Sequence, residues 1–248
     1  VMINLTTIGG WFAGDIRVFT CGTPPPAVSS RPIAPGRIQN LLVMVRPDTN
    51  GKICVQRTTA PTSICIVGLD GRGVPVYDFY GERGADRQLH ANVVLGRVPK
   101  AARAFHVGSY ATVVEPVAST LRALIEREHP RALISYDPNV RPTVEPSLRV
   151  WRDTLDWMLP RTHLLKVSEE DLALLYPGRS IDELATSWLQ TRTGPRLVVV
   201  TRGGEGAFGF TAAARVQAAP VQVQVVDTVG AGDTFQAAML TWLAEHQR

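Results

Sequence analysis

Lysine, cysteine and long apolar runs are all scarce in this 248-residue chain, and each scarcity excludes something. Cys21, Cys54 and Cys65 are odd in number and form no C-x-x-C pair. They fit free thiols of a reducing cytoplasm better than a disulfide framework or a zinc site. No apolar stretch approaches the roughly eighteen residues of a membrane span, and the longest are strand-sized blocks such as residues 197–200. The opening Val1-Met2-Ile3-Asn4-Leu5 lacks a basic region leading into an apolar one, so no secretory signal is expected and a cytoplasmic location is. Lys52, Lys100 and Lys166 are the only lysines, which leaves 26 − 3 = 23 arginines and a net charge of +4. The arginines are scattered, with no basic run of five, and stretches such as Glu126-Arg127-Glu128 mix the signs. That pattern describes a solvated surface rather than a track for phosphates, so neither nucleic acid nor membrane is expected as a partner.

What is present is a globular core. The chain is 45% hydrophobic, too apolar for intrinsic disorder and long enough to bury a full interior. The first sixty residues carry breakers, Thr23-Pro24-Pro25-Pro26 and Arg31-Pro32-Ile33-Ala34-Pro35-Gly36, and no long periodic helix. Beyond Thr62 the signals sharpen. Residues 63–69 and 74–80 are two strands joined at Asp70-Gly71, a β-hairpin over 63–80 whose Pro75 places it at an edge. Val117, Leu121, Leu124 and Ile125 predict a helix over about 115–129. A strand over 132–136 stops at Asp137-Pro138-Asn139, and a strand over 163–167 runs into a helix opened by Ser168-Glu169-Glu170-Asp171. Ser180 and Glu183 form a capping box for the next helix, residues 197–201 make a buried strand, and 222–226 alternate like a half-buried one. Strands alternating with helices predict an α/β fold with a mostly parallel sheet, its chemistry at the carboxyl ends of the strands. No internal repeat or linker interrupts residues 1–248, which are read as one domain.

The most informative segment is Val226-Asp227-Thr228-Val229-Gly230-Ala231-Gly232-Asp233-Thr234-Phe235. A strand runs into a glycine-flanked turn, and a helix follows from about Gly232, with Phe235, Ala238, Met239, Trp242 and Leu243 on one predicted apolar face. The turn aims the backbone N–H groups of Gly230, Ala231 and Gly232 beyond the strand end, which is how helix N-termini bind anions. Asp233 adds a base, and an anion hole beside a general base is what phosphoryl transfer to a hydroxyl needs. The plainer alternative is a turn whose glycines serve only geometry and whose Asp233 complements the helix dipole. Ser168-x-x-Asp171 is likewise an ordinary capping box, and Asp137-Pro138-Asn139 an ordinary turn. Gly204-Glu205-Gly206-Ala207-Phe208-Gly209 satisfies G-x-G-x-x-G, yet Ala207-Phe208-Gly209-Phe210 has strand character and Pro220 ends the only helical room behind it. A hairpin is expected there rather than a dinucleotide fold. The Walker A and protein-kinase motifs are absent, and His90, His106, His129, His163 and His246 are isolated, without metal spacing.

Asp227 to Phe235 resembles the C-terminal signature of the ribokinase/PfkB family of carbohydrate kinases, and other segments agree in order. Asp137-Pro138-Asn139-Val140-Arg141 resembles that family's D-x-N-x-R element, and Leu165-Lys166-Val167-Ser168-Glu169-Glu170-Asp171 sits where it carries N-x-x-E, with Ser168 and Asp171 as departures. Thr201-Arg202-Gly203-Gly204-Glu205-Gly206 resembles its nucleotide-side turn, and residues 78–87 are most similar to bacterial fructokinases. The resemblance spans roughly residues 57–242; residues 1–56 match poorly, through loose spacings at Gly10 to Asp15 and Gly36 to Asn40.

The resemblance implies a ribokinase-like fold, a mostly parallel sheet flanked by helices with a small β lid or hairpin. It implies an ATP-dependent kinase acting on a sugar hydroxyl, fructokinase-like, with a truncated or non-catalytic ribokinase-fold protein that binds nucleotide or sugar as the alternative. Asp233 would be the base, with the amides of Gly230, Ala231 and Gly232 holding the transferring group. Thr201, Gly203, Gly206, Lys166, Asn139 and Arg141 would serve ATP. Glu169 and Asp171 would meet Mg²⁺ through water, and Asp227 lies where some members bind a monovalent cation. The hairpin over 63–80 would stand near the sugar or at a contact within a homodimer.

Overall fold

Apolar runs cut by glycine and proline become strands, and the longer 3.6-periodic runs become helices. The computed structural model describes residues 2–7, 14–16, 31–33, 39–44, 54–56, 60–61, 63–69, 71, 75–223 and 228–246. The chain divides into two units, residues 1–65, 79–106 and 111–132 in one, and 66–78, 107–110 and 133–248 in the other.

In the first unit the described residues of the breaker-rich stretch form the short strands β1 (Met2–Thr7), β2 (Gly14–Ile16), β3 (Arg31–Ile33), β4 (Gln39–Met44) and β5 (Cys54–Gln56). β4 lies between β1 and β5, antiparallel to both, with Val43 opposite Ile3 on one side and Val55 on the other; β2 pairs antiparallel with β3. Strands this short, set between prolines and glycines, carry too few alternations to be recognised in sequence. Most of the two loose motif spacings at Gly10 to Asp15 and Gly36 to Asn40 lies outside the described residues. The same unit contains α1 (Ala91–Val94) and α2 (Val117–Glu128). α2 buries Val117, Leu121, Leu124 and Ile125, the face its spacing predicts, and its Thr120 Oγ1 donates to the Leu89 carbonyl at 2.9 Å.

β6 (Ile64–Leu69) and β7 (Pro75–Tyr80) pair as a separate two-stranded sheet, the hairpin expected over 63–80. Pro75 opens its strand, where its missing N–H costs no ladder bond.

The remaining strands make one six-stranded sheet: β8 (Ala104–Gly108), β9 (Leu133–Asp137), β10 (Leu164–Ser168), β11 (Leu197–Thr201), β12 (Ala207–Phe210) and β13 (Arg215–Ala218), in spatial order β13-β12-β11-β10-β9-β8. β9, β10 and β11 run parallel, with Leu165 opposite Tyr136 and Val198; β12 and β13 add an antiparallel meander. The parallel strands are covered on both faces, which is why they are continuous apolar runs rather than alternating ones. Ile134, Leu165, Val167, Val198 and Val200 are all fully buried.

The helices of the second unit are α3 (Leu148–Met158), α4 (Glu169–Leu175), α5 (Ile181–Leu189) and α6 (Ala231–Glu245). α3 sends Trp151, Leu155 and Met158 into the interior, and α5 sends Leu184, Ala185 and Trp188. The capping box at α5 is present as expected: Ser180 Oγ accepts from the Glu183 amide and Glu183 accepts from the Ser180 amide.

Two expectations near the C-terminus fare differently. Of the strand expected over 222–226, Gln222 and Val223 are in no regular element and 224–226 lie outside the described residues. Of the apolar face predicted for the last helix, Met239 and Leu243 are half-buried, while Phe235, Ala238 and Trp242 are exposed. Phe235 is 38% and Trp242 58% exposed, while the single buried residue of α6 is Gln236. Periodicity finds an apolar stripe; the turn that launches the helix decides which face meets the sheet.

Candidate active site

Because β9, β10 and β11 are parallel and in register, their last residues share one edge of the sheet, and a charged pair forms there. Lys166 occupies a strand position otherwise filled by Leu164, Leu165 and Val167, and it is 4% exposed. A buried ammonium is tolerated only with a counter-ion. Asp137, at the end of β9 and 3% exposed, supplies it: Lys166 Nζ donates to Asp137 Oδ2 at 2.8 Å. A lysine inside an apolar strand was the available sequence signal for this pair, though nothing local names the partner.

The loop after β9 is held from the other side by α4. The Val140 amide donates to Asp171 Oδ1 at 3.0 Å, and the Asp171 amide donates to Ser168 Oγ at 3.0 Å. Ser168 is thus the N-cap of α4, and Asp171, instead of projecting outward, is buried under the loop. Asn139 has φ +40° and Ser109 φ +53°, the two non-glycine residues in the left-handed region among those described. Ser109 Oγ donates to the Asn139 carbonyl at 3.1 Å. Such backbone persists where the surroundings over-determine it, often at functional loops. Arg141 donates to the Val140 carbonyl at 2.8 Å and lies 5.0 Å from the centre of the Tyr77 ring.

Burial, followed by the neighbouring Asp137 carboxylate, pushes the Asp171 carboxyl up to about 6 from its ordinary 3.8, against the lowering effect of the Val140 amide. A group that binds its proton more tightly folded than unfolded stabilises the fold at low pH and loses that contribution as pH rises. For Asp171 the window is about pH 4 to 6. Asp171→Asn keeps an acceptor for Val140 but cannot ionise. The stability of the natural chain relative to this variant is therefore expected to fall by on the order of 2 kcal/mol between pH 4 and pH 7. Thermal melts of both proteins across that range check it, and a constant difference contradicts it.

The start of α6 stands at the same edge. Gly230 is its N-cap at φ +76°, a left-handed turn that suits glycine. The Ala231 amide donates to the Thr228 carbonyl at 3.1 Å, and the first intrahelical bond runs from the Thr234 amide to the Gly230 carbonyl at 2.8 Å. The amides of Gly232 and Asp233 therefore precede the helical ladder, as at any helix N-terminus. Ala231, expected to aim its amide outward, instead spends it inside the turn. Asp233 is exposed in the first turn. A Cβ added at Gly232 would lie 3.1 Å from Lys166 Nζ, so glycine there lets the helix settle over the buried ammonium. Four residues on, Gln236 Nε2 donates to Ser135 Oγ at 2.6 Å, a contact that sequence reasoning missed.

On the β11 side, Thr201 ends its strand opposite Ser168 of β10 and Ala207 of β12. Gly203 (φ +51°) and Gly206 (φ +88°) bound a tight turn into β12. The antiparallel β11–β12 pairing makes the G-x-G-x-x-G string a hairpin, as expected, and excludes a dinucleotide crossover. Arg202, unforeseen in sequence, approaches Glu169 at 3.3 Å, also pairs with Glu205, and covers the Phe208 ring at 4.8 Å. Glu169 and Asp171 thus both have protein partners, and no group of three or more His, Cys, Asp or Glu suited to a metal ion occurs among the described residues. Asp227 lies outside the described residues.

The mostly parallel sheet flanked by helices is a ribokinase-like fold, shared with solved fructokinases. Fructokinase from Vibrio cholerae O395 superposes with a TM-score of 0.64 at 29% identity, over 77% of this chain and 61% of that one. Fructokinase from Xylella fastidiosa gives 0.65 at 24% identity, over 80% and 62%. In sequence, the fructokinase of Rhizobium leguminosarum bv. trifolii is 36% identical over 186 residues, 75% of this chain and 56% of the relative. Fructokinase-2 of Zea mays is 32% identical over 207 residues, 82% and 61%. The chain belongs to the pfkB family of carbohydrate kinases, whose sequence pattern matches residues 50–248. It spans 56–62% of the length of these four relatives. No helix among the described residues is long and apolar enough to cross a membrane.

Proposed function

We propose that this chain is an ATP-dependent sugar kinase with a preference for fructose. The observation that carries the reading is the first turn of α6, where a left-handed Gly230 and a side-chain-free Gly232 set backbone amides beside Asp233 and over the Lys166–Asp137 pair. Membership of the pfkB family supports it, and so does the similarity to a Vibrio fructokinase whose solved form holds fructose, ADP and potassium.

In this reading Asp233 takes the proton of the acceptor hydroxyl as that oxygen attacks the γ-phosphorus, and the bond to the β-phosphate oxygen breaks in line with it. The amides of Gly232 and Asp233 and the positive end of α6 stabilise the charge spread over the transferring oxygens, with Gly230 and Ala231 shaping the turn. Lys166, Asn139 and Arg141 line the triphosphate side, and Thr201, Gly203 and Gly206 the nucleotide side.

Glu169 and Asp171 are committed to Arg202 and to Val140, so they fit a metal carried by the triphosphate and met through water rather than a direct carboxylate cage. Magnesium in that position neutralises phosphate charge. Asp227 would belong to a monovalent-cation site. One kinase domain, a cytoplasmic location and a homodimer complete the proposal.

A coupled ADP-release assay with fructose and a panel of other sugars tests it. Fructose-dependent release supports the reading. Release with another sugar corrects the substrate. No release with any sugar from folded protein leaves a ribokinase-fold binder of nucleotide or sugar.

A further inference from the structure

Helices dock on sheets through apolar faces, and α6 adds a polar contact to one: Met239, Leu240 and Leu243 are half-buried on the face that carries Gln236. Gln236 is its one buried residue, at 2% exposure, whereas Phe235 and Trp242 on the apolar stripe are exposed. The partner of Gln236 is Ser135 of β9, itself fully buried, at 2.6 Å. Gly232 and Gln236, four apart, share one helix face, and Ser135 and Asp137, two apart, share one strand face. The two faces meet as a polar ladder. Gln236 joins Ser135, and one helical turn nearer the candidate site Gly232 sits over Lys166, which Asp137 holds.

An apolar side chain would fill the place of Gln236 without a polar cost. The glutamine instead leaves its Oε1 buried without a hydrogen-bond partner. What it contributes in return is direction. Apolar contacts tolerate sliding along the helix axis, where each residue rises only about 1.5 Å; a short side-chain hydrogen bond fixes both height and rotation.

We infer that Gln236 is a positioning residue: through Ser135 it fixes α6 along its axis, so that the amides of Gly232 and Asp233 stand at the height that phosphoryl transfer requires. Its catalytic consequence rests on the kinase reading above; the latch itself does not. Asp233 remains the base and Gln236 touches no substrate. Loss of the latch lets the first turn of α6 loosen and slows transfer more than it weakens sugar binding.

The test compares the natural chain with Gln236→Leu, Ser135→Ala and the double variant by amide hydrogen exchange and by fructose kinetics. Thr234, whose amide closes the first turn of α6, is the reporter; Gln190, which bonds the Thr186 carbonyl at the end of α5, is the remote control. Either single variant is expected to speed exchange at Thr234 about tenfold and leave Gln190 unchanged, the double variant adding nothing because both act on one bond. kcat is expected to fall about tenfold, with KM for fructose within about twofold. Ser135→Ala removes only a hydroxyl and keeps the test open if Gln236→Leu fails to fold. Unchanged exchange at Thr234, equal acceleration at Thr234 and Gln190, or full kcat with a loosened turn each overturns the inference. A natural chain without turnover sinks the kinase reading instead, and exchange alone then decides the latch.

Discussion

Asp233→Ala is expected to lower sugar-dependent ADP release by about 10²- to 10⁴-fold, the range over which positioned general bases act. The side chain is exposed in the first turn of α6, so its removal takes nothing from the core. The fold should therefore survive, and KM for the sugar should change less than kcat. A purely structural Asp233, complementing the helix dipole, predicts something different: a stability loss of about 0.3–1 kcal/mol and turnover within a few-fold of normal. Running the coupled assay beside a urea melt separates the two. Asp233→Asn sharpens the comparison, because it keeps the shape and loses the basicity. Turnover retained in both variants would remove Asp233 from the mechanism.

The second large effect concerns stability. Lys166→Met leaves Asp137 buried among apolar strands with its cation gone, and breaking a buried pair from one side typically costs about 3–5 kcal/mol. Of a total stability of about 5–15 kcal/mol for an ordinary domain, that is enough to unfold much of the population on mild heating. Asp137→Asn with Lys166→Met removes both charges and should recover most of the loss, since two neutral groups of similar volume need no counter-ion. Urea titrations of the single and double variants measure this directly. A Lys166→Met protein as stable as the natural one would mean that Asp137 is adequately served without Lys166.

The candidate site was legible in pieces. The Gly230–Asp233 turn, the Ser168 cap and the end of β9 at Asp137-Pro138-Asn139 each carry their signal within a few residues, because turns and caps are local hydrogen-bonding problems. The pairings between those pieces were not legible. Lys166 and Asp137 are 29 residues apart, Asp171 and Val140 31, and Gln236 and Ser135 101. Each depends on which strands lie side by side. Asp171 shows the consequence: as a sequence position it is an acidic residue opening a helix, whereas in the fold it is a buried carboxyl with a raised pKa, holding the neighbouring loop.

The sequence by itself determined the alternation of strands and helices, the hairpin over 63–80, the capping box at Ser180 and the glycine-led turn into α6. These follow from periodicity and from the backbone demands of glycine, proline and capping residues, which act over one or two turns. Only the tertiary structure decided that α6 leaves Phe235 and Trp242 exposed and turns its glutamine inward. It also decided that Lys166 lies beneath Gly232, and that Arg202 takes up Glu169. The reason is physical. A helix of given amphipathicity can dock in several rotations, and a buried charge can be met by any opposite charge within reach. Strand order and the launching turn at Gly230 select among them, through contacts between residues that no local pattern connects.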